Sequence, residues 1–209
     1  MSSSDGYGWS SADPPDSCGY LAEPILDILG ALEVGSVLDL GSGNGSLCGR
    51  LAERGFDVAG AEYDAEGHRI ASEAHPRIRF YNVGVQDDPS ELLRDRAAGF
   101  DAVVSTEVIE HLYSPQLLPQ FAHQVLKPDG YLVLTTPYHG YFKNLVLSIL
   151  GKWDAHLSPL WEGGHIKFWS RATLTRLLAE ANFEVVDFTG VGRVPYLWKS
   201  MILVARRVS

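Results

Sequence analysis

Apolar positions along this chain switch repeatedly between two periods, and the switching predicts the architecture. Leu21, Ile25, Leu26, Ile28 and Leu29 fall three and four apart, which predicts a helix over 17–32. Val37, Leu38 and Leu40 then form a short run suited to a strand covered on both faces. The same reading places helices near 46–54, 64–74, 88–96, 115–126 and 171–181. Strands are expected near 36–40, 56–61, 78–82, 101–105, 130–136, 183–190 and 199–207. Strand, helix and strand in alternation means an α/β, doubly wound sheet of seven strands with helices on both faces. The last two strands have no helical pattern between them, only Gly192 to Tyr196, so they are expected to close the sheet as an antiparallel hairpin.

Two stretches break the alternation. Residues 1–16 are rich in Ser, Gly, Asp and Pro without periodicity and read as a mobile tail that closes on the site when ligand binds; 17–209 form one domain. The interval of about 137–170 is too long for a simple connection and follows the fifth strand, at the carboxyl edge where such sheets bind ligands. It holds Tyr138, His139, Tyr141, Phe142, Trp153, His156, Trp161, Glu162, His165, Lys167, Phe168 and Trp169, so it is assigned to a substrate or lid. Its apolar run 144–150, flanked by Lys143 and Lys152, is too short to cross a bilayer; it suits a lid over an apolar molecule or peripheral contact with a membrane surface.

The most informative segment joins a strand to a turn: Val37-Leu38-Asp39-Leu40-Gly41-Ser42-Gly43-Asn44-Gly45-Ser46-Leu47. Glycines at 41, 43 and 45 remove the Cβ atoms that would keep a ligand from backbone N–H groups, which makes the turn a nucleotide cradle. A nicotinamide or flavin dinucleotide fits poorly. Its G-x-G-x-x-G spacing is missing, Ser46 stands where the third glycine belongs, and Asp39 puts a negative charge where a pyrophosphate would sit. The Gly-Lys-Ser/Thr of a P-loop is absent as well. An anionic lip suits a ligand that carries an ammonium and a sulfonium.

This D-x-G-x-G-x-G form resembles the first motif of the class I S-adenosylmethionine (SAM)-dependent methyltransferases, and three later segments agree in order. Val58 to Glu62 reads as a second strand ending in an acid. Phe100 to His111 looks like the F-D-x-V…E-x-x-E-H pattern of the branch that includes the ubiquinone-pathway O-methyltransferases. Leu126-Lys127-Pro128-Asp129-Gly130 is similar to its L-K-P-G-G turn, with Asp129 in place of the first glycine. The resemblance spans roughly 18–207. It implies a Rossmann-like sheet of order 3-2-1-4-5-7-6 with strand 7 antiparallel, SAM as cofactor and S-adenosylhomocysteine (SAH) as its product. Cofactor-binding positions are then Asp39, Gly41, Ser42, Gly43, Gly45, Glu62 on the ribose hydroxyls, Tyr63, Val85 and Gln86 about the adenine, and Thr106 and Glu107 about the methionine moiety. Tyr20 falls where the family covers the cofactor carboxylate. Each has a plainer alternative: turn capping for Asp39, helix capping for Thr106 and Glu107, and helix-face packing for Tyr20.

A hydroxyl acceptor must lose its proton as its oxygen attacks, and histidine is the side chain poised for that near neutral pH. His111 is one candidate base; His139 and His165 are rivals, as is His156. No metal is expected, because the histidines are scattered without a short paired spacing such as H-x-x-x-H. The formal charge of −9 and pI near 5.2 speak against a nucleic-acid partner, leaving a small-molecule acceptor. Two cysteines and no basic-then-apolar leader segment point to the cytoplasm. O-methylation is the leading reading; N- or C-methylation, methylation of a macromolecule, a SAM-binding interaction module and a nicotinamide oxidoreductase stand beside it.

Overall fold

The computed structural model of the 209-residue chain describes residues 8–157, 160 and 164–208. Trp161, Glu162 and the first seven positions of the tail lie outside the described residues. One sheet of seven strands organises the fold: β1 (Ser36–Leu40), β2 (Asp57–Ala61), β3 (Arg79–Tyr81), β4 (Phe100–Thr106), β5 (Leu126–Pro137), β6 (Phe183–Val191) and β7 (Ser200–Arg207). The order is β3-β2-β1-β4-β5-β7-β6, with β7 antiparallel to both β5 and β6. The fold class is therefore as the periodicity implied, and the strand order as the family resemblance implied.

Helices cover both faces because the central strands are apolar on both. On one face Leu38, Leu40 and Val103 pack with Leu118 and Phe121 of α5 (Leu117–Val125) and Leu174 of α8 (Arg171–Glu180). On the other, Val37, Ala102 and Val104 meet Leu21 and Ile25 of α1 (Cys18–Ala31) and Leu51 of α2 (Ser46–Glu53). Each fully buried Leu or Phe contributes about 1.5–3 kcal/mol of burial free energy, so the double cover fixes the register of the strands that carry the site. The chain continues through α3 (Ala65–Ala74) and α4 (Ser90–Asp95).

Two elements differ from the sequence expectation. β5 begins at Leu126 and not near 130, because Leu126 already pairs with Phe100 before the register shifts and Tyr131 pairs with Ala102. Within that irregularity Asp129 adopts φ 61°, a left-handed conformation that Asp tolerates better than most residues. The 137–170 interval contains α6 (Tyr141–Ile149) and α7 (Trp153–Leu157), which the apolar run alone did not predict. Leu145, Ile149 and Leu150 of that run are exposed, whereas Lys143, expected as a flanking cation, turns inward and is 5% exposed.

Candidate active site

Winding reverses between β1 and β4, and at such a switch point the loops leaving neighbouring strands diverge to open a crevice. A cavity of about 580 Å³ lies there, within the range of small-molecule sites. Its walls are Asp39–Asn44 after β1, Ala61–Asp64 after β2, Val83–Gln86 after β3, and Thr106–Val108 with His111 and Leu112 after β4. One face of α1, Ser46 and Leu47 at the start of α2, and Trp9, Pro15 and Ser17 ahead of α1 complete the enclosure. Among the described residues the lining has four carboxylates, Asp39, Glu62, Asp64 and Glu107, and neither Lys nor Arg, so its field favours a cation.

The glycine turn is closed by the protein itself. Gly41, Gly43 and Gly45 all have positive φ, and a Cβ at Gly41 would lie 2.5 Å from Val108 Cγ2. The N–H groups of Gly41 and Ser42 donate to Ala61 O at 2.8 and 3.1 Å, and that of Gly43 to Glu62 Oε2 at 2.6 Å. The missing Cβ atoms thus admit neighbouring side chains; they do not bare N–H groups to a ligand, as the sequence reading supposed. Gly41, Ser42 and Gly43 line the cavity, while Gly45 starts α2 against Ala71 and Phe80 and does not.

Asp39 lies buried in the floor. Cys48 Sγ donates to its Oδ2 at 3.4 Å, and Oδ1 has no protein partner. Burial, opposed by that thiol, pushes its pKa up to about 7. Glu62 is held from both sides, Oε2 by Gly43 N–H and Oε1 by Asp64 N–H at 2.7 Å. Each oxygen keeps a second lone pair, enough for the two hydroxyls of a diol. Burial raises the Glu62 pKa, and the Asp64 and Gly43 N–H groups oppose the rise. Tyr63 is 66% exposed at the rim, and Val85 and Gln86 form the wall opposite the turn.

At the other end Glu107 sits at φ 53°, a strained conformation for a non-glycine residue and one that clusters at functional sites. Thr135 Oγ1 donates to Glu107 Oε1 at 2.9 Å and Ser200 Oγ to Oε2 at 3.1 Å. Burial pushes Glu107 up to about 7 against those two hydroxyls and the nearby Lys143 ammonium. Tyr20 does not line the cavity. It reaches the site through a 3.0 Å bond to Ser200, and burial beside Glu107 raises its pKa to about 12. Thr106 lines the cavity with a buried Oγ1 that has no partner.

The candidate bases separate. His111 faces the cavity, with Nδ1 3.3 Å from Gly164 O and Nε2 3.9 Å from Glu110 Oε1. His165 packs on its ring, centroids 5.0 Å apart, and does not line the cavity; nor does His139, which is buried against His156, Phe168 and Asn144. Burial lowers His139 and His165 to about 4, helped by Lys143 for the first and by His111 for the second; both are neutral at pH 7 and weak acceptors of a proton. His156 is lowered too, by burial and then Lys143. Glu110, His111 and His165 also bring ligand atoms within 4.8 Å of one another, a grouping that could hold a metal ion. Spacing along the chain could not show this, since the fold joins residues on either side of β5.

Sequence reasoning missed Trp9, Asn44, Asp64 and Val108 in the cavity wall, and Glu110, Lys143 and Ser200 behind it. Asp64 had a visible signal, being next but one to Glu62 at a helix start; the others are recruited by tertiary contacts.

A glycine-turned, acid-lined crevice at the switch point of a 3-2-1-4-5-7-6 sheet is the site of a protein that binds a positively charged nucleoside donor. A family profile described as Methyltransferase domain matches residues 18–187, and the chain belongs to the class I SAM-dependent methyltransferases. Two relatives are named Ubiquinone biosynthesis O-methyltransferase. The one from Ruegeria pomeroyi is 30% identical over 78% of this chain and 65% of its own length; that from Azorhizobium caulinodans is 28% identical over 74% and 61%. The chain thus spans less than two thirds of both. A crystal structure of magnesium protoporphyrin IX methyltransferase from Synechocystis PCC 6803 with bound SAH shares the fold, at TM-score 0.67 and 18% identity over 90% of this chain and 82% of that one. The cavity fits SAM on its own terms, because the buried, unpartnered Asp39 Oδ1 and a lining that among the described residues carries four carboxylates and neither Lys nor Arg both suit a ligand with positive charge.

Proposed function

We propose that this chain transfers the methyl group of SAM to a hydroxyl oxygen of a small molecule. The observation that carries the proposal is His111, which faces the cavity at the exit of β4 with its ring oriented by the Gly164 carbonyl. A carbonyl can only accept, so Nδ1 carries the proton in that contact and Nε2 keeps a lone pair. Bound SAM supplies an electrophilic methyl group on a sulfonium. His111 Nε2 takes the acceptor's hydroxyl proton, and the imidazolium so formed faces Glu110 Oε1. Glu62 takes the ribose hydroxyls, Asp39 and Glu107 offset the donor's positive charge, and Tyr63, Val85 and Gln86 flank the adenine. Gly41, Ser42 and Gly43 hold the turn, with Gly45 aligning the helix behind it.

The acceptor is assigned to the side built by 137–170 within a methyltransferase unit of 17–209. Relatives named Ubiquinone biosynthesis O-methyltransferase support an oxygen acceptor. Tyr141, Phe142, Leu145 and Ile149 are exposed on α6, which supports peripheral contact with a membrane surface. No helix among the described residues is long and apolar enough to cross one. Two buried, unpaired thiols suit a reducing cytoplasm, and the acidic balance argues against nucleic acid as substrate.

A screen with methyl-labelled SAM against phenols, sugars and carboxylic acids tests the proposal. An O-methylated product is expected. Transfer only to nitrogen or carbon acceptors, or SAM binding with no transfer to any of them, would overturn it.

A further inference from the structure

We infer that Gly8–Ser17 is a built wall of the cofactor cavity, with Trp9 as a cofactor-binding residue and Asn44 as the anchor that holds the wall in place. The inference rests on the reading of this cavity as the SAM site. Trp9 lines the cavity, and its indole occupies space that two glycines leave free. A Cβ at Gly43 would lie 2.4 Å from Trp9 Cζ2, and one at Gly67 would lie 2.8 Å from its Cδ1. Those glycines belong to the elements that aim Glu62: Gly43 donates to Glu62 directly, and Gly67 N–H fixes Asp64, whose own N–H is the second donor. The ring therefore closes the cavity where the ribose-directed carboxylate is held.

Asn44, the non-glycine member of Gly43-Asn44-Gly45, is 2% exposed, and its side chain is committed to this wall. Nδ2 donates to Ser11 O at 3.0 Å and to Asp13 O at 2.7 Å, while Oδ1 accepts from Ser46 N–H at 3.3 Å. A buried amide with both donors aimed at an otherwise exposed segment fixes that segment over the glycine turn. The glycine turn and the wall are thus one unit. A strap held by few contacts opens at low free-energy cost, so cofactor exchange proceeds by lifting Trp9 off Gly43 and Gly67.

The test uses the full chain and SAH as probe, with binding read by calorimetry and by tryptophan emission. SAH should change the emission of the parent, and Trp9→Phe should remove most of that change while the other four tryptophans remain. Trp9→Ala should weaken SAH binding by about tenfold and speed its dissociation by a similar factor, the loss expected for one aromatic contact. Asn44→Ala should move both quantities the same way. Undiminished emission change in Trp9→Phe, together with SAH affinity within about twofold of the parent in Trp9→Ala, would overturn the inference and leave the cofactor site standing. A parent that takes up no SAH would overturn both.

Discussion

Around the glycine turn the two buried carboxylates are fixed by partners no more than 19 positions away, whereas at the exit of β4 the partners of Glu107 and His111 lie 28 to 93 positions off. Asp39 is fixed by Cys48, nine positions on, and Glu62 by Gly43 and Asp64, 19 and two positions away. Across the cavity Glu107 is held by Thr135 and Ser200, 28 and 93 positions off, His111 by Gly164 at 53 and Lys143 by Lys199 at 56. A cradle formed by one β–α–β unit takes its shape as soon as that unit packs. The wall at the exit of β4 needs Thr135 of β5, Gly164 and the β6–β7 hairpin together. On the proposed function the difference implies that donor binding at Glu62 and proton removal at His111 should be separable, since local contacts hold the first and long-range contacts the second.

The largest expected effect separates the two sides most sharply. His111→Ala should lower turnover by about 10²–10⁴-fold, as for loss of a positioned base, with SAM affinity by calorimetry nearly unchanged. Glu62→Ala acts on the other side: SAM binding should weaken by about 1.5–3 kcal/mol through loss of a charged hydrogen-bonding group. If both variants lost affinity equally, the division between donor and acceptor walls would be wrong.

Asp39 sharpens the comparison through pH. Its folded pKa near 7 lies above the ordinary 3.8, so between those values the folded chain keeps a proton that the unfolded chain has released. Its contribution to stability is complete below about pH 4 and falls away as pH rises through about 7. Asp39→Asn should therefore flatten the stability profile over that window and stabilise the empty protein at about pH 8 by ~1–3 kcal/mol, measured by urea unfolding, while weakening SAM binding. A smaller effect is expected at Ser200→Ala, which removes the bonds to Tyr20 and Glu107 and should cost about 1 kcal/mol of stability by urea unfolding, with SAM affinity lowered less than in Glu62→Ala.

The same contrast explains what could be read from the chain. All seven strands were legible, because apolar periodicity is a local signal that a doubly covered sheet enforces, whereas their order was legible only through the family resemblance that the glycine motif and the later segments carry. Tyr20 was placed on the cofactor, yet the structure routes it to Ser200, a residue of β7. Lys143 looked like a surface cation beside an apolar run, and only the hairpin that brings the Lys199 carbonyl shows why it turns inward. Asn44 was hidden in plain view as the variable position of a glycine motif. Its partners sit in a segment whose composition reads as tail.

Calorimetric titration of the intact chain with SAM and, separately, with reduced nicotinamide dinucleotide addresses the central claim that this crevice holds a positively charged donor. SAM should bind, with affinity rising from about pH 6 to about pH 7.5 as Asp39 and Glu107 give up their protons, and the phosphorylated dinucleotide should give no heat of binding. Binding of the dinucleotide in place of SAM, or SAM affinity that falls over that pH range, would contradict it.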